Sequence, residues 1–464
     1  MKKIITSLVA LLITSSFAVA QNVGIGTKTP AALLHVKDGT VLFSGLNYFT
    51  GNPAKPPVTG KGTRTFWYAE KAAFRTGGVY NSTLFGFPDQ DTSNYHNWDR
   101  DSIGVFSFAA GFNTKAKGDF SFAMGSGAFA EGFSAASIGN YTQAKANFSF
   151  AAGNHCLAEG MGAASFGGYS QALGNYSFAA GDNSSSTGLG SVAMGSATAA
   201  GKYAAAFGNQ STASGDNAFS TGDHTIASGD FSTALGEFTV ASGDYSTAMG
   251  KSSKATGYGA FAAGNNAIAS GSNSFALGIN ASTNNRSNSF CIAGASGDQA
   301  AANSSDNQMM MRFTNYTFWV SASNYAYLIP ASNGWAYTSD KNKKENFQEL
   351  NGESVLQKIA EIPFYSWNFK AKDTRQYRHY GIMAQDFYNA FGKDDYGSIG
   401  NDTTVSPLDL LGVAYSAIKA LEKRTAELQL ENKEMATQID SYKMMKAEME
   451  KLREAMEVIK TKVK

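Results

Sequence analysis

Between Gly104 and Gly278 the chain alternates apolar and small polar positions in short bursts, as in "FSTALG" and "YSTAMG", each closed by glycine. A period of two predicts strands, with Phe/Tyr, Thr/Ala and Leu/Met taking turns between faces. Glycine recurs every seven residues from 104 to 139 and from 153 to 195, with Ala146 in one slot, and resumes from 201 to 278 after a one-residue deletion. Pairs of sevens form a fourteen-residue unit, clearest in "GDFSTALGEFTVAS" followed by "GDYSTAMGKSSKAT". A coiled coil is excluded, because one glycine per heptad costs a helix about 1 kcal/mol each. Each glycine is read as a turn, since it takes positive φ without a Cβ clash. Two short strands and two turns then make one coil of a parallel β-solenoid. About twelve coils stacked about 4.8 Å apart predict a rod on the order of 60 Å long. Alanines at strand centres leave each coil too thin to bury much alone, which favours several chains packed side by side.

The pattern changes on both flanks. Lys2 and Lys3 precede an apolar run from Ile4 to about Phe17, and Ala18-Val19-Ala20 supplies small residues before Gln21. Residues 1–20 are therefore read as an export signal peptide. No cysteine follows that cleavage site, which argues against a lipid anchor, and no other window predicts a transmembrane segment in the mature chain. Residues 21–59 open with "NVGIGTKTPAALLHVKDGTVLFSG", a short β-motif like those that begin many fibre proteins, with His35 read as a strand surface residue. Residues 60–103 are aromatic and aperiodic. They are expected to cap the first coil and cover its open edge. The alternative is a glycan-binding or glycan-degrading surface, with Tyr, Trp and His stacking on sugars and Asp89, Asp91, Asp99 or Asp101 as acid and base.

After the solenoid (104–294) comes a β connector (295–338), and then "SDKNKKENF" at 339–347. As a basic patch, Lys341, Lys343 and Lys344 are diluted by Asp340 and Glu345. Ser339 or Asp340 could cap a helix, although Asn346 and Gly352 argue against a long one. A third reading is Ser/Lys chemistry, in which a neutral amine takes the serine proton. Such an amine must be desolvated or crowded by cations, which Lys341 and Lys343 supply. Residues five apart lie about 140° from alignment on a helix and on opposite faces of a strand. Ser339 and Lys344 must therefore meet across a turn or between chains.

From Leu411 the apolar spacing becomes helical. Leu411, Ala414, Ile418, Leu421, Thr425, Leu428, Asn432, Met435, Ile439 and Tyr442 alternate steps of three and four. Met445, Met449, Leu452, Met456 and Ile459 continue after one extra step of three, a stammer that overwinds a coiled coil. Asn432 at a core position would set register. The alternative is a single amphipathic helix lying on its own domain.

Two resemblances sharpen this picture. Units such as "SFAMGSGAFAEG" and "NSFALGINA" resemble the YadA-like head of trimeric autotransporter adhesins, which implies a left-handed β-roll, a homotrimer and a surface role. The membrane-anchor strands of that family are absent from this sequence. Residues 339 to about 430 resemble the C-terminal intramolecular chaperone of phage endosialidases and tail spikes. The resemblance is carried by "SDKNKKENF", "VLQKIAEIPFYSWNFK", "RHYGIMAQDFYNAFG" and "VSPLDLLGVAYSAIKALEKR". It implies a Ser/Lys self-cleaving peptidase of small α+β fold at 339–410. Ser339 is then the nucleophile, Lys344 the base and Asp340 an orienting residue, with the Thr338–Ser339 bond cut once and no free substrate. Asn342 stands where phage members often carry arginine, and Phe347 where they carry isoleucine. The whole is expected to be mainly β with a trimeric coiled coil at 411–464.

Composition removes other classes. The 464 residues carry a net charge of +1, so bulk attraction to nucleic acid is absent. A membrane-tethered transcription factor would need a basic DNA-reading segment and a second apolar span, and neither occurs. The repeat has no G-x-x-x-x-G-K-[ST], and its even glycines mark no single phosphate loop. Cys156 and Cys291 show no metal spacing and are read as buried free thiols, with a disulfide as the alternative. No cofactor or metal is expected.

Overall fold

The computed structural model describes residues 22–45, 52–80, 92–294, 301–321, 324–328, 334–370 and 378–463. The expected signal peptide, Asp89, Asp91 and the start of the connector lie outside them. The chain divides into two compact units, Met1–Tyr316 and Thr317–Lys464.

The first unit is a β-solenoid. Among the described residues one ladder links 29 strands, and every coil pairs in parallel with the next at the same slot of the repeat. Ala109 lies against Ala123, then Ser137, Ala151, Ser165 and Ala179, each fully buried. Only small side chains fit this interior, and its hydroxyls return to the turns; Ser191 Oγ donates to the Gly188 carbonyl at 2.8 Å. Cys156 and Cys291 occupy interior slots as buried free thiols, and burial pushes the Cys291 thiol up.

The glycines are of two kinds, which corrects the reading of each as a turn. Gly118 stands at a corner, where a Cβ would come within 1.8 Å of the Gly132 carbonyl oxygen. Gly125 lies inside the long strand Phe122–Ser126 at φ +123°, and its Cβ would come 2.1 Å from the Gly139 oxygen. That φ is open to glycine alone. Gly125→Ala is therefore expected to cost about 3 kcal/mol or more through strain and overpacking, read as a lower thermal midpoint.

The ladder also outruns the glycine repeat. It begins with Ala73–Val79, which pairs in parallel with Phe108–Phe112, and ends with Met309–Arg312 against Phe290–Ala293. The one-residue deletion is absorbed as a register shift between Ser196 and Thr198. At the first edge, Gly62–Tyr68 runs antiparallel to Ala73–Val79 and covers it.

A buried arginine closes that end. Arg75 occupies the slot filled by Ala109 one coil later and is fully buried. Its guanidinium donates to the Phe74 carbonyl at 2.9 Å, the Ser107 carbonyl at 3.1 Å, Ser107 Oγ at 2.9 Å and the Ala116 carbonyl at 3.0 Å. Burial lowers its pKa to about 9, so it stays charged at neutral pH. Arg75→Ala would leave a cavity and is expected to cost about 3 kcal/mol at this end. Faster amide exchange in Gly62–Tyr68, with distant coils unchanged, would record it, because solenoid coils contact only their neighbours.

The second unit is small and α+β until its last helix. Helix α1 (Gly352–Glu361) starts at Asn351, whose Oδ1 accepts the Glu353 and Ser354 amides at 3.1 Å each. A hairpin joins Tyr365–Trp367 to His379–Gly381, followed by helix α2 (Ala384–Phe391). Helix α3 (Pro407–Lys462) begins at Ser406 with proline in its first turn. Gly352 lets α1 approach Ser416 and Ala420 of α3, and Arg424 forms a two-point ion pair with Glu353. That hydrogen bond holds the Glu353 carboxyl below its usual range.

Candidate active site

The strand Trp335–Tyr337, antiparallel to Asn324–Leu328, delivers the chain to Thr338 and Ser339. Asp340 then caps a single 3-10 turn, Lys341–Lys343. Its Oδ1 accepts the Asn342 amide at 2.9 Å and Asn342 Nδ2 at 3.2 Å. The Lys343 and Lys344 amides donate back to the Asp340 and Lys341 carbonyls at 3.1 and 3.2 Å.

This turn solves the spacing problem. It brings Lys344 Nζ to 2.9 Å from Ser339 Oγ, within one chain. Asn346, in the left-handed region at φ +57°, redirects the backbone, and Lys341 Nζ lies 5.8 Å from the Phe347 ring centroid. Ser339 and Lys344 are both exposed to solvent in the single chain. Asn342 supplies the partner that holds the Asp340 carboxylate, a role that sequence reasoning missed. The signal was available, since Asp followed two residues later by a donor is an Asx-turn pattern.

The other quoted segments lie in the same unit. Arg378 Nη2 donates to Ser366 Oγ at 2.6 Å, tying the hairpin's two arms. Lys358 Nζ of α1 donates to the Ala390 carbonyl of α2 at 2.8 Å, and Phe387 is buried.

The described residues of the aromatic segment, 60–80 and 92–103, join the first coils. Trp98 is fully buried, with Nε1 donating to the Thr114 carbonyl at 2.9 Å, and Asn97 donates to the Asn113 carbonyl at 2.9 Å. Asp99 lies 2.6 Å from His96 Nδ1, and Asp101 lies 3.0 Å from Arg100 Nε. His35 is also a strand residue whose Nδ1 accepts the Ala31 amide at 3.1 Å.

A coil-by-coil solenoid followed by a compact α+β module with one very long helix defines a repeat-built fibre with a C-terminal accessory module. Residues 102–128, 158–184, 172–198, 199–225, 227–253 and 255–281 match the YadA head domain repeat. Residues 339–395 match the chaperone of endosialidase family. The chain thus joins an adhesin-type repeat to an endosialidase-type chaperone, an arrangement that fits a trimeric fibre. No curated protein matches it. Among the described residues no helix is long and apolar enough to cross a membrane.

Proposed function

We propose that the protein is an exported trimeric surface fibre. Its C-terminal chaperone guides three shafts together and then cuts the chain between Thr338 and Ser339. The observation that carries the chemistry is the 2.9 Å contact between Lys344 Nζ and Ser339 Oγ. In the reaction, Ser339 Oγ attacks the Thr338 carbonyl carbon and its proton passes to the Lys344 amine. The tetrahedral intermediate collapses as the Ser339 nitrogen leaves with that proton, giving an ester between Thr338 and Ser339 Oγ. Water, deprotonated by Lys344, then hydrolyses the ester to a Thr338 carboxylate and a free Ser339. Asp340 positions the turn without touching the reacting atoms.

Trimer assembly is supported by surfaces that one chain leaves open. On the outward face of the long strands one chain leaves apolar side chains part-exposed, among them Phe150, Phe166 and Phe178, with Phe122 beside Met124 and Phe275 beside Leu277 in other coils. Packing against further chains would bury them. The helical seam in α3 is equally unpartnered, from 48% exposed at Leu421 to 68% at Tyr442. Packing three chains would also strip water from the Ser339/Lys344 pair, as a neutral amine needs.

The test is light scattering of the mature protein beside a denaturing gel. Three copies in solution and a fragment whose N-terminus is Ser339 are expected. A monomer would sink the fibre assembly, and an intact chain in a proper trimer would remove the peptidase step.

A further inference from the structure

We infer that the shaft carries a second functional surface, a stripe of aromatic rings at the corner before each long strand, which takes an extended, uncharged glycan chain. One residue per coil occupies this corner in the left-handed region. It is Phe106, Phe120 and Phe148 in early coils, Tyr176 and Tyr203 in the middle, and Phe231 and Tyr245 later, at φ between +55° and +59°. Bulky side chains are rare at such φ, where glycine and asparagine are the usual occupants. Where the corner is Ser134, Gly162 or Gly259, an apolar side chain moves one residue earlier, to Phe133, Met161 or Tyr258. The stripe is thereby continued.

The rings meet from coil to coil. Centroids are 5.2 Å apart for Phe106 and Phe120, 5.4 Å for Phe120 and Phe133, 5.6 Å for Phe133 and Phe148, and 5.1 Å for Phe231 and Tyr245. The Tyr176 ring lies 3.0 Å from where Gly162 would carry a Cβ, so it covers the coil before it. The rings are nonetheless 42% exposed at Phe133 and 62% exposed at Tyr203.

The shaft does not need them. Asn217, Asn273 and Asn288 fill the same corner at φ +56°, +50° and +53°, with the ladder continuing on either side. A side chain that is strained, exposed and dispensable to the backbone points to a ligand. Beside the rings the exposed carboxylates Asp119, Asp230 and Asp244 each accept an amide from a neighbouring coil, at 2.8 to 3.0 Å. Phe106 and Phe120, and Phe231 and Tyr245, turn faces to each other, so the C–H faces of sugar rings meet the stripe at rings such as Tyr176 and Tyr203, which pack on the glycine corners Gly162 and Gly190, while carboxylates and amides accept hydroxyls. Asp216, Asp230 and Asp244 on three successive coils, the first ion-paired with Lys202, disfavour phosphate polymers and sulfated glycans. Rings on four successive coils from Phe106 to Phe148, and on three from Phe231 to Tyr258, suit a linear ligand that repeats a ring on the same scale, which a compact ligand does not.

The test uses the full chain with insoluble β-1,4-glucan as the probe and immobilised heparin as the polyanion arm. Wild type is expected to be retained on the glucan and not on heparin. Combining Phe120→Asn, Phe148→Asn and Tyr176→Asn should weaken glucan binding at least tenfold, with native mass and circular dichroism unchanged. Wild type that ignores the glucan, prefers heparin, or binds as well with the three asparagines would overturn the inference. So would a variant that loses native mass, since the stripe would then be a contact between copies. The glucan and heparin outcomes leave the self-cleavage gel unchanged, so the two readings fail separately.

Discussion

Ser339→Ala should leave every chain uncut, and Lys344→Ala should slow cutting about a hundred- to ten-thousandfold, with the trimer intact in both. Removing Ser339 Oγ removes the atom that attacks Thr338. Removing Lys344 leaves the nucleophile in place but deletes the base at 2.9 Å. General base removal costs about 10²–10⁴ in rate, and nucleophile removal commonly as much or more. Asp340→Ala separates positioning from chemistry. It breaks the bonds from Asn342 that close the turn, so Lys344 should visit Ser339 less often and cutting should slow without stopping. Asn342→Ala should do the same more weakly, since the backbone amide still reaches Asp340. Fragment appearance on a time-resolved gel orders the four variants. Equal rates in wild type and Lys344→Ala would remove the lysine from the mechanism.

Much of the shaft was legible because glycine is forced there by contact, not by preference. A Cβ at Gly118 or Gly125 would meet the carbonyl of the next coil, so the period shows in the sequence with only Ala146 and the one-residue deletion interrupting it. Glycine identity does not reveal which of the two columns turns and which extends, so Gly125 was misread as a turn. The terminal coils were invisible for a related reason. Met309–Arg312 has a neighbouring coil on only one side, and the glycine column lapses there at Ala293 and Arg312, whereas Ala73–Val79 keeps the column at Gly77 but stands out of the seven-residue step from Gly111. Arg75 shows a relaxation of the interior, because a long side chain fits an interior slot only where the stack ends. In the candidate site the Ser/Lys spacing forbade regular structure and left a meeting across a turn or between chains, and the contact forms across a turn. What it could not supply was the Asp340–Asn342 bond that makes the turn tight. The aromatic corners were hidden too, since alternation gives no hint of a positive φ.

Charging the seam of α3 should dissolve the trimer. Leu428→Asp with Met435→Asp places six carboxylates on the axis of a three-stranded coil, where the single chain exposes the two parent side chains at 56% and 51%. Each buried, unpaired carboxylate costs several kcal/mol, so even about 3 kcal/mol per chain weakens association well over a thousandfold. Both positions lie beyond Arg424, the last tie between α3 and α1, so the fold of the unit itself should be untouched. The gel then tests a coupling the exposed site implies. Ser339 and Lys344 already touch within one chain, yet both are exposed there, and the proposed assembly would cover them. Cutting should therefore fall with the trimer even though neither residue has changed. Asn432→Ile acts in the opposite direction, adding apolar burial and stability while losing register, seen as a higher melting point with mixed oligomers. If the aspartate variant stays trimeric by light scattering, the shaft faces alone hold the three chains. If it is monomeric and still cuts, the turn is a complete active site, and assembly controls only where the released fragment goes.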